Sequence, residues 1–416
     1  MTSFWDNLPQ PFFALAPMEA VTDVVFRHVV KQAGAPDVFF TEFANATGWV
    51  HAGDKAIAGR LVKTDDEHPL VAQIWGGEPG DMEQFAAHCA KLGFDGIDIN
   101  MGCPAKSAIK SGGAALIRQP DVAVAAIAAA KTAGLPVSVK TRLGYTHADE
   151  WREWLSVILA QNLANLTIHL RTKKEMSKVP AHYELIDDIV KLRDEIAPQT
   201  LLTINGDIRN RTHGEELARQ HPGINGIMVG RGIFSDPFCF TCTGARTSHK
   251  IIRDPRKVAQ IFSETPLAPD APATAAPPAL EAVEHSRIAS APAERSRSIS
   301  SGDASEKSTP TQERGAGDAG FADDARGVSE TTRKEYSEEV KIPITNHKQE
   351  LIKLLNYHLD LFDHYQPTLG RPFETLKRFF KIYIHDFDGA KELRDQLMHT
   401  KNTSEVRQIL EKIQYL

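Results

Sequence analysis

The sequence predicts an α/β fold, a (β/α)8 TIM barrel followed by a disordered linker and a small C-terminal helical domain. Short segments typical of strands recur over the first part of the chain, and helix-like segments lie between them. After residue 254 the composition shifts to Ala, Pro, Ser, Glu and Arg, and helical periodicity returns at residue 341. We therefore expect a barrel in residues 1–254, a linker in 255–340 and a helical domain in 341–416.

Eight strands are expected in the barrel. Each is a short apolar run or an alternation of apolar and polar residues, and eight such units fit a closed barrel better than an open sheet. An open doubly wound sheet is the structural alternative. The expected strands are Phe13–Met18, Val38–Phe43, Leu70–Trp75, Gly96–Asn100, Val137–Arg142, Leu166–Arg171, Leu201–Gly206 and Gly226–Gly230, with helices at Asp81–Leu92, Asp121–Ala133, Ala148–Gln161 and Tyr183–Ile196.

The linker and the helical domain differ in their content of large apolar residues. Few occur in 255–340, so ordering that segment would cost more conformational entropy than burial could return. In 341–416 such residues recur at helical spacing, which predicts a small bundle. Its middle helix carries Lys377, Arg378 and Lys381 among aromatic residues. This pattern fits either a contact with a nucleic-acid backbone or a core face with a solvated basic side.

Composition limits what the chain can bind and where it resides. The 416 residues carry a formal net charge of −6, so a polyanionic partner would have to be held by local basic patches. Four cysteines in a chain of this size suit a reducing compartment, and the single CxxC pair of Cys239 and Cys242 predicts no metal site. No segment is typical of an export signal or a membrane span. We expect a monomer in the cytoplasm.

Polar side chains stand at the expected C-terminal ends of five consecutive strands. In a barrel of this kind, those ends and the loops after them build the functional site. Each side chain alone has an ordinary structural explanation, but five that converge on one opening would be costly to bury without a polar ligand between them. The five residues are Gln73, Asn100, Lys140, His169 and Asn205.

The turn after the fourth expected strand presents a single thiol. Cys103 lies between Gly102 and Pro104, in a segment that cannot continue a strand or begin a helix without bending. An isolated cysteine usually packs as a small apolar side chain. Because the neighbouring strands end in polar residues, we expect Cys103 to face the site instead.

Glycines at the last two strand ends predict a phosphate site. Asn205-Gly206-Asp207 ends the seventh strand, and Gly230-Arg231-Gly232 ends the eighth. Glycine lets backbone N–H groups approach an anion, and Arg231 would add a charge-assisted hydrogen bond. The position after strands seven and eight is the usual phosphate site of such barrels. Flavin mononucleotide (FMN) would satisfy both this site and the polar strand ends.

Together these motifs resemble the tRNA-dihydrouridine synthase family. The resemblance covers nearly the whole chain apart from the linker, and residues 387–394 are similar to the family's tRNA-binding domain. It implies that FMN reduces the C5=C6 bond of a uridine in tRNA, with NADPH as the electron source. The segments that carry it are Ala16–Asp23, Asp98–Pro104, Lys140–Arg142, His169–Thr172 and Asn205–Asp207.

The resemblance also implies a role for each candidate residue at the barrel opening. A hydride would pass from the flavin to C6 of the uracil, and Cys103 would deliver a proton to C5 from the opposite face. Lys140 would stabilise negative charge on the reduced ring, and Asn100 and Arg142 would grip the uracil and its nucleotide. The implied FMN contacts are Ala16, Pro17, Met18, Gln73, Lys140, His169, Asn205, Gly206, Asp207, Gly230 and Arg231.

The helical domain would bind the tRNA away from the reaction. A stacked uridine cannot reach a barrel opening, so it must be swung out at a cost of a few kcal/mol. Contacts of Lys377, Arg378 and Lys381 with the tRNA would offset that cost.

Three features depart from the family pattern. Leu170 stands where the family usually has glycine, the loop at 177–181 has no glycine, and the linker is a long insertion. None of them removes a proposed catalytic residue. Two other functions stay open: an FMN barrel that acts on a free pyrimidine or a small enone, and an RNA-binding barrel without a flavin.

Overall fold

The structure is a computed structural model that describes residues 3–57, 59–105, 107–241 and 344–414. The expected linker at 255–340 and Cys242 lie outside the described residues. The described residues on either side of that gap belong to one compact unit.

Parallel strands form a nearly closed barrel with helices between them, which confirms the predicted fold class. The strands are β1 (Phe12–Leu15), β2 (Phe39–Phe40), β3 (Ala44–Asn45), β4 (Leu70–Trp75), β5 (Gly96–Asn100), β6 (Val137–Arg142), β7 (Asn165–His169), β8 (Leu201–Asn205) and β9 (Gly226–Val229). Their order is β1-β9-β8-β7-β6-β5-β4-β2, with β3 also beside β4. The Leu15 N–H donates to the Val38 carbonyl over 3.3 Å, which joins β1 to the start of β2.

Three expected strands differ from those observed by two residues or more. The first, Phe13–Met18, is observed as Phe12–Leu15. The segment Val38–Phe43 contains only the short β2, and β3 follows it; between β2 and β3 the Thr41 hydroxyl accepts a hydrogen bond from the Gln73 N–H of β4 over 3.0 Å. The sixth expected strand ends at His169 instead of Arg171. There the Arg171 N–H turns back to the His169 carbonyl over 2.6 Å, so the chain leaves the sheet.

Helices cover the outside of the barrel. They are α1 (Val24–Gly34), α2 (Ala46–Ala52), α3 (Asp54–Ile57), α4 (Pro79–Lys91), α5 (Pro120–Lys131), α6 (Trp151–Leu159), α7 (Ile186–Ile196) and α8 (Arg211–Gln220). Apolar strand residues such as Ile97, Ile99 and Val139 are fully buried in the core that includes these helices. The alternate residues point into the barrel and bear the polar groups described below.

The C-terminal residues form a helical region that packs on α1. Its helices are α9 (Ile344–Leu369), α10 (Glu374–Lys377), α11 (Phe380–Tyr383), α12 (Ala390–Met398) and α13 (Thr403–Gln414). The rings of Phe26 in α1 and Phe379 lie 4.9 Å apart. The His358 Nδ1 and the Tyr383 hydroxyl are hydrogen-bonded over 2.7 Å in the core of this region.

The expected single helix over 377–385 is wrong. The chain forms the one-turn helices α10 and α11 instead. Here the Phe379 N–H donates to the Leu376 carbonyl and the Ile382 N–H donates to the Phe379 carbonyl, and these 3₁₀-type bonds replace the regular α-helical pattern. Phe379, Phe380 and Tyr383 are all buried. The aromatic residues of this segment therefore form a core face, and its basic residues are left on the outer side.

Candidate active site

Polar residues at the strand ends lie on neighbouring strands, and three of the five expected ones, Lys140, His169 and Asn205, line one cavity, whereas Gln73 and Asn100 do not. Asn100 is in register with Lys140, Arg142 with His169, and His169 with Asn205, so neighbouring strands bring these residues side by side. A cavity of about 440 Å³ lies beside them, within the usual range for small-ligand sites. It is lined by Ala16, Pro17, Met18, Lys140, His169, Ser177, Asn205, Gly206, Asp207, Ile208, Arg209, Gly230, Arg231, Gly232 and Ser235.

All of the expected FMN contacts except Gln73 line this cavity. The residues that were not among the expected contacts are Ser177, Ile208, Arg209, Gly232 and Ser235. Three of them, Ile208, Arg209 and Gly232, come directly after the expected contacts Asp207 and Arg231 in the chain. Their position next to those contacts could have predicted them. Nothing in the sequence around Ser177 or Ser235 indicates that they line the cavity, because their position depends on how their loops fold.

Gly232 marks a tight backbone approach at the anion end of the cavity. A Cβ atom at this position would lie 2.2 Å from the Arg209 carbonyl oxygen, which no side chain can accommodate without a shift of the backbone. Gly206 has a φ of 126°, a conformation that favours glycine. The loops after β8 and β9, which line the cavity together with Arg231, therefore depend on glycine at positions 206 and 232.

Lys140 is the buried cation of the site. Its ammonium donates to Asn205 Oδ1 over 3.3 Å. Burial, together with the nearby Arg142 charge, lowers the pKa of Lys140 to about 8, while Asp98 opposes the change. The ammonium is therefore still the main form at neutral pH, but its charge is poorly compensated by the protein.

Asn100 shapes the turn that carries Cys103. The Asn100 Oδ1 accepts hydrogen bonds from the Gly102 N–H over 3.1 Å and from the Cys103 N–H over 2.9 Å. Cys103 is half-buried. Burial raises the pKa of its thiol, so Cys103 carries its proton at neutral pH. The turn thus carries a protonated thiol that feels the charges of Arg142 and Lys140, although Cys103 is not among the residues that line the cavity.

A chain of buried hydrogen bonds supports Asn100 from below. The Asn100 amide donates to Gln73 Oε1 over 3.0 Å, and Gln73 in turn donates to Asp98 Oδ2 over 2.6 Å. The Ser138 hydroxyl donates to the other Asp98 oxygen over 2.6 Å. Burial raises the pKa of Asp98 to about 6, although the hydrogen bonds from Ser138 and Gln73 act to lower it. Gln73 and Asp98 therefore hold Asn100, and through it the turn that carries Cys103, in place.

Arg142 connects two loops at the opening. Its Nε donates to the Gly102 carbonyl over 2.7 Å, and its Nη1 donates to the carbonyls of Thr172 and Met176 over 3.1 and 3.0 Å. The residue is 7% exposed. A buried guanidinium that is bound to backbone carbonyls orders these loops, and the expected contact of Arg142 with the uracil stays a prediction.

His169 lies among cations on the wall of the cavity. The Arg171 Nη1 is 3.1 Å from His169 Nε2, and Arg171 also forms an ion pair with Asp207. Asp207 pairs in addition with Arg231 over 3.1 Å. Burial and the charges of Arg142, Lys140, Arg171 and Arg231 hold the pKa of His169 far below its usual range. His169 is therefore a neutral imidazole.

The three basic residues expected to bind tRNA lie in the helical region and do not line the cavity. Lys377 donates to the Met398 carbonyl over 3.0 Å, and Arg378 donates to the Ala20 carbonyl over 3.2 Å, which ties it to the loop after β1. The Lys381 ammonium lies 5.5 Å from the centre of the Phe234 ring. Their expected contact with tRNA stays a prediction.

Among the described residues, no group of three or more His, Cys, Asp or Glu side chains could hold a metal ion. Over the same residues, no single helix is long and apolar enough to span a membrane, although one bent pair, Ala108–Arg118 with Pro120–Lys131, passes the length and composition test.

The family model and the curated relatives that match this chain all point to the same family. The family model described as dihydrouridine synthase (Dus) matches residues 14–265. The chain is 45% identical over 411 residues to "Probable tRNA-dihydrouridine synthase 2" of Bacillus subtilis, with 98% of this chain and 96% of that protein covered. It is 42% identical over 414 residues to "Probable tRNA-dihydrouridine synthase" of Staphylococcus aureus (strain Mu50), with 99% and 96% covered.

A solved structure is similar only at a low level. A variant of NCR from Zymomonas mobilis aligns with a TM-score of 0.35 and 16% identity, over 65% of this chain and 94% of that one. The family match spans most of the barrel, and the relatives are similar over almost the full length of the chain. The chain therefore belongs to the dihydrouridine synthase family.

Proposed function

We propose that this protein is a tRNA-dihydrouridine synthase that reduces the C5=C6 bond of a uridine in tRNA, with FMN as its cofactor and NADPH as the source of electrons. The observation that carries the proposal is the placing of Cys103: Asn100 binds its backbone N–H in the turn after β5, and its thiol feels the charges of Arg142 and Lys140. The relatives named as probable tRNA-dihydrouridine synthases support the same substrate.

The residues of the cavity fit FMN. At one end, the glycine loops after β8 and β9 and the side chains of Arg209 and Arg231 suit a phosphate group. On the wall, Lys140 and His169 suit the electron-rich edge of an isoalloxazine ring, and Pro17 and Met18 offer an apolar surface to it. When bound, FMN would supply the hydride that adds to C6 of the uracil.

Cys103 would supply the proton that completes the reduction. Its raised pKa keeps the Sγ–H bond intact at neutral pH, so the thiol can transfer that proton to C5. Lys140 would place a positive charge against the ring, and Asn100 would fix the direction of the thiol through two backbone hydrogen bonds. Asn100 and Arg142 are the proposed contacts of the uracil and its nucleotide.

The helical region is the proposed second contact with tRNA. Arg378 and Lys381 are exposed, and Lys377 is half-buried. Their contacts with the protein leave further N–H groups on each side chain that can reach phosphate oxygens. The proposed domains are a barrel in 1–254, a linker in 255–340 and a tRNA-binding domain in 341–416, and the protein is proposed to act as a cytoplasmic monomer.

The test combines a spectrum with a substrate requirement. Purified protein should be yellow, and it should oxidise NADPH in the presence of tRNA that lacks dihydrouridine but not with free uracil. We expect Cys103→Ala to keep the flavin and to slow tRNA turnover by about 10²-fold or more, because a positioned proton donor contributes on that order. Cys89→Ala, a change of a buried thiol in α4, is the matched control and should keep normal turnover.

Three results would contradict the proposal. Colourless protein that takes up no added FMN would overturn the flavin assignment. Oxidation of NADPH driven by free uracil as efficiently as by tRNA would favour an enzyme of small molecules. Unchanged turnover in Cys103→Ala would overturn the role of this thiol as the proton donor.

A further inference from the structure

Arg171 determines which nitrogen of His169 carries the ring proton. A guanidinium has only N–H donors and no acceptor, so the 3.1 Å contact between Arg171 Nη1 and His169 Nε2 requires Nε2 to accept. A neutral imidazole that accepts at Nε2 has its proton on Nδ1. The surrounding cations independently oppose a second proton on this ring.

The two edges of the His169 ring face different surroundings. A Cβ atom at Gly206 would lie 3.2 Å from His169 Cδ2 and 3.6 Å from Nε2, so the edge with Cδ2 and Nε2 is packed against Gly206 and Arg171. Nδ1 and Cε1 form the opposite edge of an imidazole. Because His169 lines the cavity, this second edge is the one available to a ligand.

Several contacts fix the orientation of Arg171. It is 2% exposed, and its Nε donates to the Val179 carbonyl over 2.6 Å. Its Nη2 donates to Asp207, which also accepts from the Ala181 N–H over 3.0 Å. With Nε and Nη2 held in this way, Nη1 has little freedom to leave His169. The arrangement is therefore built into the loop and does not depend on one hydrogen bond.

We propose that Arg171 is a positioning residue that holds His169 as the Nδ1–H tautomer, so that His169 donates a hydrogen bond to an electron-rich oxygen or nitrogen of the bound flavin ring. The inference rests on the proposed function, since it takes FMN as the ligand of the cavity. Arg171 itself does not contact the ligand in this scheme. It acts through the imidazole, which serves as a fixed donor and not as an acid or a base.

The direct test is the tautomer of His169 in protein without added ligand. Two-bond ¹H–¹⁵N spectra of ¹⁵N-histidine-labelled protein distinguish the two neutral forms, and His169→Asn identifies the signal. We expect the wild type to show a proton on Nδ1 and none on Nε2. We expect Arg171→Met to lose this preference and to bind FMN about tenfold more weakly, measured by quenching of flavin fluorescence. Arg171→Gln, which retains an N–H donor, should restore much of both.

A second pair of variants tests the same idea if Arg171→Met does not fold. The side-chain amide of asparagine occupies the place of His Nδ1, and that of glutamine occupies the place of Nε2. We therefore expect His169→Asn to bind FMN more tightly than His169→Gln. The reverse order, or a wild-type proton on Nε2, would overturn the inference.

These results separate the inference from the proposed function. If the wild type binds FMN but carries the proton on Nε2, the proposed function stands and the role of Arg171 is wrong. If the wild type binds no FMN, the proposed function is wrong, and the claim that His169 donates to a flavin is wrong with it. Arg193→Met serves as a control, because Arg193 is a similarly buried arginine that binds Asn225 and the Thr200 carbonyl instead of His169.

Discussion

Burial acts in opposite directions on the titratable side chains of the site. It lowers the pKa of Lys140 to about 8 and that of His169 far below its usual range, and it raises the pKa of the Cys103 thiol. At neutral pH the three groups are therefore an ammonium, a neutral imidazole and a protonated thiol. All three can donate a proton in a hydrogen bond, which suits a ligand rich in acceptors.

The charge of Lys140 gives the site a testable pH dependence. The ammonium is present below pH 8 and is lost as the pH rises through about 8. We expect the affinity for FMN, measured by fluorescence quenching between pH 6.5 and 9.5, to weaken across that range. Lys140→Met should bind about tenfold more weakly at pH 7 and should lack this pH dependence. An identical pH profile in the variant would show that another group is responsible.

Sequence reasoning identified the residues of the site better than it identified their partners. The alternation within the strands places Lys140, His169 and Asn205 on the inner side, and the structure has them there. The partners of Arg142 and Gln73 could not be predicted in this way. Arg142 binds carbonyls of two loops, and Gln73 binds Asp98 and Asn100, because these contacts depend on how separate segments approach each other.

Among the elements, the turn after β5 depends most on one side chain. Asn100 satisfies two buried N–H groups, and its removal would leave them without that acceptor at a cost of about 1–3 kcal/mol. We expect Asn100→Ala to lower the free energy of unfolding by that amount in urea titrations. It should also slow tRNA turnover by at least about tenfold, because the thiol is no longer held in place.

Control measurements separate this effect from a general loss of the site. FMN affinity of Asn100→Ala should change less than about threefold, since Asn100 does not line the cavity. The variant Ser156→Ala removes a hydroxyl that bonds only within α6, to the Arg152 carbonyl, and should leave turnover unchanged. Normal turnover in Asn100→Ala would contradict the proposed role of the turn.

The loop after β9 requires glycine at position 232. Because a Cβ atom would lie 2.2 Å from the Arg209 carbonyl oxygen, Gly232→Ala must displace one of the two loops that face the anion end of the cavity. We expect FMN affinity to fall by tenfold or more. Gly80→Ala is the matched control, because a Cβ atom there would have no neighbour within 4 Å. Equal affinity in both variants would show that this loop does not bind the ligand.

Strands were easier to predict than the short C-terminal helices. A strand in a barrel repeats every two residues, so its buried side and its end can be recognised over five or six residues. The segment 377–385 has helical spacing of its aromatic residues, yet it forms the one-turn helices α10 and α11. Phe379, which lies between these two helices, packs against Phe26 of α1, a contact that no local pattern contains.

At the scale of the molecule, one arginine joins the helical region to the barrel. Arg371 forms ion pairs with Asp23 over 3.0 Å and with Glu42, whose side chain is completely buried. Burial raises the pKa of Glu42 to about 7, although Arg371 lowers it. Glu42 and Arg371 are 329 residues apart in the chain, so sequence reasoning had no means to pair them.

The raised pKa of Glu42 links stability to pH. Between pH 4.5 and about 7 the folded protein retains a proton on Glu42 that the unfolded chain releases, so the free energy of unfolding falls as the pH rises through this range. The contribution is at most roughly 3 kcal/mol. Glu42→Gln keeps an acceptor for Arg371 and cannot titrate. We expect it to gain stability over the wild type between pH 5 and pH 8 in urea unfolding.

The comparison uses the difference between the two proteins at each pH. Other groups such as Asp98, whose pKa is also raised, titrate in both proteins and cancel in that difference. A difference that is the same at pH 5 and pH 8 would show that Glu42 does not titrate in this range.

The packing of the C-terminal helices on α1 also has a consequence for synthesis of the chain. Phe26 emerges from the ribosome early, whereas Phe379, which covers it, is translated near the end. Until then this apolar flank of α1 lacks the cover that the C-terminal helices provide. Chaperones that recognise exposed apolar surface would have their longest opportunity to bind there, during the interval in which the intervening residues are translated.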